Sequence, residues 1–167
     1  VVMYDNMMNK FKWGNAGDPS VYLDENNRRM FCNFRRLFGS LGKSLLQIGD
    51  TAKAVEAVTR GLEIVPSAKL PHDYFSIGPA EVLVKAGKID EGEKIFNSII
   101  EYANDHLDYI ISVKSTDRFD LDTDIAINMQ SLLDVYYLSD EMKLSALKAT
   151  VEPIINNYYG KLDPQKR

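Results

Sequence analysis

Apolar residues return every three or four positions between Met30 and Ile48, at Met30, Phe34, Leu37, Leu41, Leu45 and Ile48. That spacing follows the 3.6-residue turn of an α-helix and predicts one apolar stripe along a long helix. Asp24 is suited to cap its start, and Gly49-Asp50 to end it and cap the next helix. The same period recurs at Ala54, Val55, Val58, Leu62 and Val65, until Pro66 stops it. A third helix is expected from Pro71-His72-Asp73 to about Ala86, with a turn at Gly87-Lys88. A fourth, from about Asp90 to Val113, carries Ile95, Phe96, Ile99, Ile100, Ala103, Leu107 and Ile110. Beyond the polar stretch Ser115–Asp120, two more are expected, about Leu121–Leu138 and Glu141–Tyr158, joined at Ser139-Asp140. No segment alternates with period 2, so the expected fold class is all-α, with about six main helices. Short turns make sequential helices antiparallel neighbours. Val1–Leu23, with its turn-rich Trp13–Ser20, is expected to be an irregular segment packed on the domain that spans 24–167.

A repeat lies within this pattern. The tetratricopeptide repeat is a helix–turn–helix of about 34 residues with bulky and small residues at fixed places and a proline near its end. With Arg35 at the first position, Phe38, Leu41-Gly42 and Leu45 fall on its first helix. Gly49-Asp50 falls on its turn, Ala54, Val58 and Gly61 on its second helix, and Pro66 on its terminal proline. Gly42, Ala54 and Gly61 are small where helices would cross, and Phe38, Leu41, Leu45 and Val58 fill the space between. The repeat near 35–68 is followed, after an insertion at Ser67–His72, by a degenerate copy near 73–106. There Ala80 and Leu83 sit on the first helix and Gly92 and Phe96 on the second, while Pro79 replaces the usual Leu. The pair 121–158 keeps only the helix–turn–helix shape and is expected to close the stack, a right-handed α-α superhelix.

Charge is divided unevenly along the 167 residues. Val1–Lys88 carries 12 bases and nine acids, whereas Ile89–Glu141 carries 13 acids and three bases. The whole chain is net −4, which argues against a general nucleic-acid binder. Arg28-Arg29 and Arg35-Arg36 lie seven apart and are expected to form a basic stripe on one helix. Such a stripe suits a phosphate, an anionic lipid headgroup or an acidic partner. The repeat register places Arg36, Lys43, Gln47, Tyr74, Glu81 and Lys85 on the face that first helices present to a protein or peptide partner. The pairs Gly39/Lys43 and Ile77/Glu81 stand where some repeats of this kind carry a Lys-x3-Asn clamp for a peptide carboxylate, so such a receptor is not expected.

Catalytic and cofactor signals are weak. Cys32 stands in the apolar run Met30-Phe31-Cys32 and reads as a small core residue. His72 and His106 have no ligand spacing. Asp120, Asp122 and Asp124 begin like a calcium loop, but Ile125 and Ser131 occupy its glycine and closing-glutamate positions. Gly39–Ser44 ends in Gly-Lys-Ser without the spacing of a phosphate loop. No catalytic residue, metal or cofactor is expected in this chain.

Met3-Tyr4-Asp5-Asn6-Met7-Met8-Asn9-Lys10-Phe11-Lys12-Trp13-Gly14, then Val21–Glu25, Asn27–Met30 and Pro71–Phe75, resemble the carboxy-terminal region of a family of bacterial multi-pass membrane proteins, a domain of unknown function. The amino-terminal part of that family resembles a protein O-mannosyltransferase-type glycosyltransferase. The likeness covers roughly the first two thirds of the chain. It implies a soluble periplasmic tail of an inner-membrane protein, with any transferase chemistry in the membrane part. The expected function is then a non-catalytic interaction or scaffold domain whose partner is a protein, a peptide or its own membrane domain, with weak anionic-lipid contact. The alternative is a part of that enzyme serving acceptor recognition or assembly.

Overall fold

The computed structural model describes residues 2–113 and 121–162, and among these the fold is all-helical with no strand. The helices are α1 (Val2–Asp5), α2 (Glu25–Gln47), α3 (Thr51–Ile64), α4 (Ile77–Lys85), α5 (Ile89–Ser112), α6 (Asp122–Glu141) and α7 (Ser145–Leu162). A wide helical turn, Asn6–Lys10, continues α1, and a 3-10 turn, Tyr74–Ser76, leads into α4. The chain divides into two compact units, one through Ile95 and one from Phe96 onward.

In the first unit the helices start where the sequence supplies a cap. The Asn27 amide donates to Asp24 Oδ1 at 2.8 Å, and the Lys53 amide donates to Asp50 Oδ1 at 3.2 Å. Helices α2 and α3 cross at small residues. A Cβ on Gly61 would lie 2.6 Å from Phe38 Cβ, and one on Gly42 would lie 2.8 Å from Val58 Cγ2. Residue 38 therefore meets 61 and 42 meets 58, so the pair is antiparallel. Leu41, Leu45, Ala54 and Val58 are all buried.

The apolar stripe expected on α2 is rotated. Phe31, Cys32, Arg35, Phe38, Gly39, Gly42 and Leu45 are buried together with Leu41, while Met30, Leu37 and Ile48 are exposed. The reason is that α2 is packed on two sides, by α3 and by α4, and the α4 side uses glycine. A Cβ on Gly39 would strike Pro79 at 2.6 Å. Glycine close approach leaves no hydrophobic signal in the sequence.

The opening segment is not irregular throughout. Met7 is 2% exposed, and Asp5 anchors the turn by accepting from Asn9 at 2.9 Å and pairing with Lys10 at 2.6 Å. Tyr4 donates to Glu56 on α3. Trp13 packs edge-on to Phe34 with ring centres 5.0 Å apart and leans on Phe38 at 5.7 Å. Lys69 donates to the carbonyls of Asp18 and Val21, which ties the segment to the loop after α3.

In the second unit, α6 packs on α7, and Tyr158 of α7 places its hydroxyl 2.9 Å from both the carbonyl and the side-chain oxygen of Asn104 on α5. Lys161 pairs with Asp108 at 3.2 Å. Residues 104 and 108 thus meet 158 and 161 in order, so α5 and α7 run in the same direction. The α6–α7 junction falls at Met142–Leu144 rather than Ser139-Asp140. Lys143 takes a left-handed conformation there (φ 60°), with Leu144 N–H bonded to the Ser139 carbonyl and Lys143 N–H to that of Asp140. Gly49 closes α2, and Gly87 closes α4, with the same pair of bonds.

Candidate functional site

Helices α2 and α4 lie side by side with one register. Cys32 meets Asp73, Arg35 meets Ser76, Gly39 meets Pro79 and Gly42 meets Val82. Every pair is offset by about forty residues in the same sense, so the two helices are parallel. Their shared outer edge carries Lys43, Glu81 and Lys85. Glu81 accepts from Lys43 Nζ at 2.5 Å through Oε2 and from Lys85 Nζ at 2.6 Å through Oε1. Burial works against the Glu81 charge, but the two ammonium groups prevail and hold its carboxyl below the ordinary range. Glu81 is itself buried, whereas both lysines are partly open to solvent. Glu81 thus links α2 to α4 through Lys43 and makes a second ion pair along α4 with Lys85. Gln47 is exposed one turn beyond Lys43, and Tyr74 is 38% exposed at the start of the α4 segment with its ring edge-on to Phe75.

The expected arginine stripe does not hold as a unit. Arg29 is exposed and paired with Glu25 at 2.5 Å, Arg36 is exposed, and Arg28 is exposed at the first turns of α2. Arg35 points the other way and is 2% exposed. Its Nη1 donates to the Pro71 carbonyl at 2.9 Å and to Ser76 Oγ at 3.2 Å. Its Nη2 donates to the carbonyls of Val65 and Leu70, both at 2.9 Å. The Leu70 and Pro71 carbonyls belong to the loop after α3 and that of Val65 to the residue that ends α3, where no further helical turn satisfies them. Arg35 is therefore a structural residue that holds the insertion onto α2, and no partner can reach it. The signal was present: residues 31, 35, 38, 42 and 45 follow helical spacing, and Arg35 shares that face with Phe31 and Phe38.

Around Arg35 stand Cys32, His72, Asp73 and Ser76, residue types that can make a catalytic set. Their side chains are turned on one another, with Ser76 and Cys32 buried and His72 and Asp73 half-buried. Burial, and next Asp73, push the Cys32 thiol up to about 12, so it stays protonated and lies 3.6 Å from Asp73 Oδ2. Burial, and next the Arg35 charge, push His72 down to about 4, which leaves a neutral imidazole with Nδ1 3.2 Å from Ser76 Oγ. Ser76 is fully buried and already accepts from Arg35. A substrate atom has no route to that hydroxyl. Burial raises Asp73, with Arg35 opposing.

Among the described residues no three His, Cys, Asp or Glu side chains come together to hold a metal. Asp122 and Asp124 lie in the first turn of α6, and Asp120 is outside the described residues. No described helix is long and apolar enough to cross a membrane. A separate open cleft of about 820 Å³ lies between the opening segment and α3, with Lys12, Trp13, Asn15, Arg60 and Glu63 on its walls.

No protein-family model, no curated protein and no solved structure matches the chain.

Proposed function

We propose that this chain is a non-catalytic interaction domain built from tetratricopeptide-like helix pairs, binding a polypeptide across the α2/α4 ridge. The observation that carries the reading is the parallel, in-register packing of α2 on α4. The first helices of two successive pairs share one edge there, and Lys43, Lys85 and Gln47 sit along it. Stacked helix pairs present such first-helix faces to extended ligands. The Lys43 side chain is 45% exposed on that edge, and its ammonium group suits an acidic segment of the ligand. The reading as a domain that assembles rather than reacts is supported by the fully buried Ser76 hydroxyl and the protonated Cys32 thiol. The likeness of the opening residues to the membrane-protein family described above supports a setting as the periplasmic tail of a glycosyltransferase-like protein.

The test is fluorescence anisotropy with extended acidic and basic peptides, on the parent and on a Lys43→Gln/Lys85→Gln variant. The expected result is preference for acidic peptides and at least tenfold weaker binding by the variant. Equal binding by the variant, or no binding at millimolar concentration, would refute the ridge as the site.

A further inference from the structure

A second surface, apart from the α2/α4 ridge, combines exposed apolar side chains with fixed positive charge. Val2, Met3, Asn6, Met7, Phe11 and Leu37 surround a shallow hollow of about 420 Å³ where the opening segment crosses α2. Val2 is 75% exposed, Phe11 46%, Met3 41% and Leu37 36%. Met30, 45% exposed, lies two turns before Leu37 on the same side of α2. The α2 stripe expected from the sequence would bury Met30 and Leu37, and both remain outside.

Basic residues flank the patch. Arg29 and Arg36 each directly precede Met30 and Leu37, so they form an adjoining column on the helix, seven residues apart. Lys10 and Lys12 bracket Phe11 on the other side. Acids neutralise two of the four, through Arg29–Glu25 and Lys10–Asp5. Among the described residues no carboxylate lies within ion-pair distance of Arg36 or Lys12.

We infer that this face docks on an anionic lipid surface, with Met3, Phe11, Met30 and Leu37 entering the headgroup–acyl boundary and Arg36 and Lys12 meeting lipid phosphates. Interfacial binding scales with apolar area buried plus attraction to anionic headgroups, and this patch offers both side by side. Long arginine and lysine stems lie along apolar surface while their heads stay in water. A second copy of the chain is a poor occupant, because a twofold contact through this patch brings Arg29 and Arg36 of one copy toward those of the other. Arg35 takes no part, which changes the residue set expected from the sequence.

The experiment is co-sedimentation of the chain with vesicles of phosphatidylcholine alone or with about 30% phosphatidylglycerol, at 20 and 300 mM NaCl. Binding is expected only to the anionic vesicles and to fade at 300 mM, where the screening length drops to about 6 Å. Arg36→Gln/Lys12→Gln should weaken partition about thirtyfold, roughly fivefold per basic residue. Leu37→Gln leaves charge unchanged and should still weaken it about fivefold, whereas Lys43→Gln/Lys85→Gln should leave it as it was. Fluorescence of Trp13 checks that each variant is folded. Equal recovery with neutral and anionic vesicles, no recovery at 20 mM, or full binding by Leu37→Gln would overturn the inference. So would tighter binding to polyglutamate than to anionic vesicles, which would make the occupant an acidic polypeptide.

Discussion

Replacing Arg35 with Met separates a structural arginine from a surface one. The substitution keeps much of the aliphatic stem and removes all donors. The Val65 and Leu70 carbonyls and the Ser76 hydroxyl then lose buried partners, while the half-buried contact to Pro71 is closer to water. Each buried acceptor left unsatisfied costs about 1–3 kcal/mol. Relief from burying a guanidinium offsets part of that sum, because desolvating an ion costs several kcal/mol. The net loss expected is about 3 kcal/mol. Arg35→Lys should recover little, since one ammonium cannot span acceptors held by two separate guanidinium nitrogens. The assay is urea unfolding followed by fluorescence of Trp13, the single tryptophan, which packs on Phe34 and Phe38 of α2 and so reports the first unit. Trypsin cleavage after Lys69 should also accelerate, because the insertion loses its tether. A surface arginine would change stability by no more than about 0.5 kcal/mol. A loss that small, with unchanged cleavage at Lys69, would refute the structural role.

Three further outcomes follow from the packing and the local electrostatics. Gly42→Leu places a branched side chain where a bare Cβ is already 2.8 Å from Val58 and 3.0 Å from Val82, so the melting temperature should fall by the equivalent of about 3 kcal/mol or more. His72 titrates near 4 in the folded chain against about 6.5 unfolded, so between those values the unfolded chain takes up a proton that the folded one refuses. Stability should therefore fall as pH drops from about 6.5 to 4, by roughly 1–2 kcal/mol after allowance for the ring's partial exposure, and His72→Gln should flatten that limb of the urea-midpoint profile. Lys143→Gly removes a side chain from a left-handed position and should raise the unfolding midpoint of the second unit by about 0.5–1 kcal/mol, read by far-ultraviolet circular dichroism.

Helix identity was legible because capping and periodicity are local. Asp24 and Asp50 accept from the amides three residues on, and Gly49 and Gly87 mark closures that need a left-handed residue. The α6–α7 junction was misplaced because Lys143 fills that role without glycine, and a lysine carries no turn signal. The core face of α2 was misread for a different reason. Periodicity weights apolar residues, whereas the tightest contacts use Gly39, Gly42 and the stem of Arg35. The Lys43–Glu81–Lys85 bridge joins residues about forty apart, and the sequence places them on one face without showing that a buried carboxylate links them. Arg35 was misassigned because three of its four acceptors are backbone carbonyls, which have no residue identity to read.

The opening segment has a consequence for synthesis. Its docking partners all come later in the chain: Phe34 and Phe38 for Trp13, Glu56 for Tyr4, and Lys69 for the Asp18 and Val21 carbonyls. A ribosome adding about 5–20 residues per second needs roughly 3–10 s between Trp13 and Lys69. For the first part of that interval, until α2 emerges, Trp13 has neither Phe34 nor Phe38 to pack against. The partners then become available in steps, α2 for Trp13, α3 for Tyr4 and finally Lys69, all before α4 is made. Until α2 emerges, the exposed Trp13 ring is open to capture by a holdase chaperone or by another nascent chain.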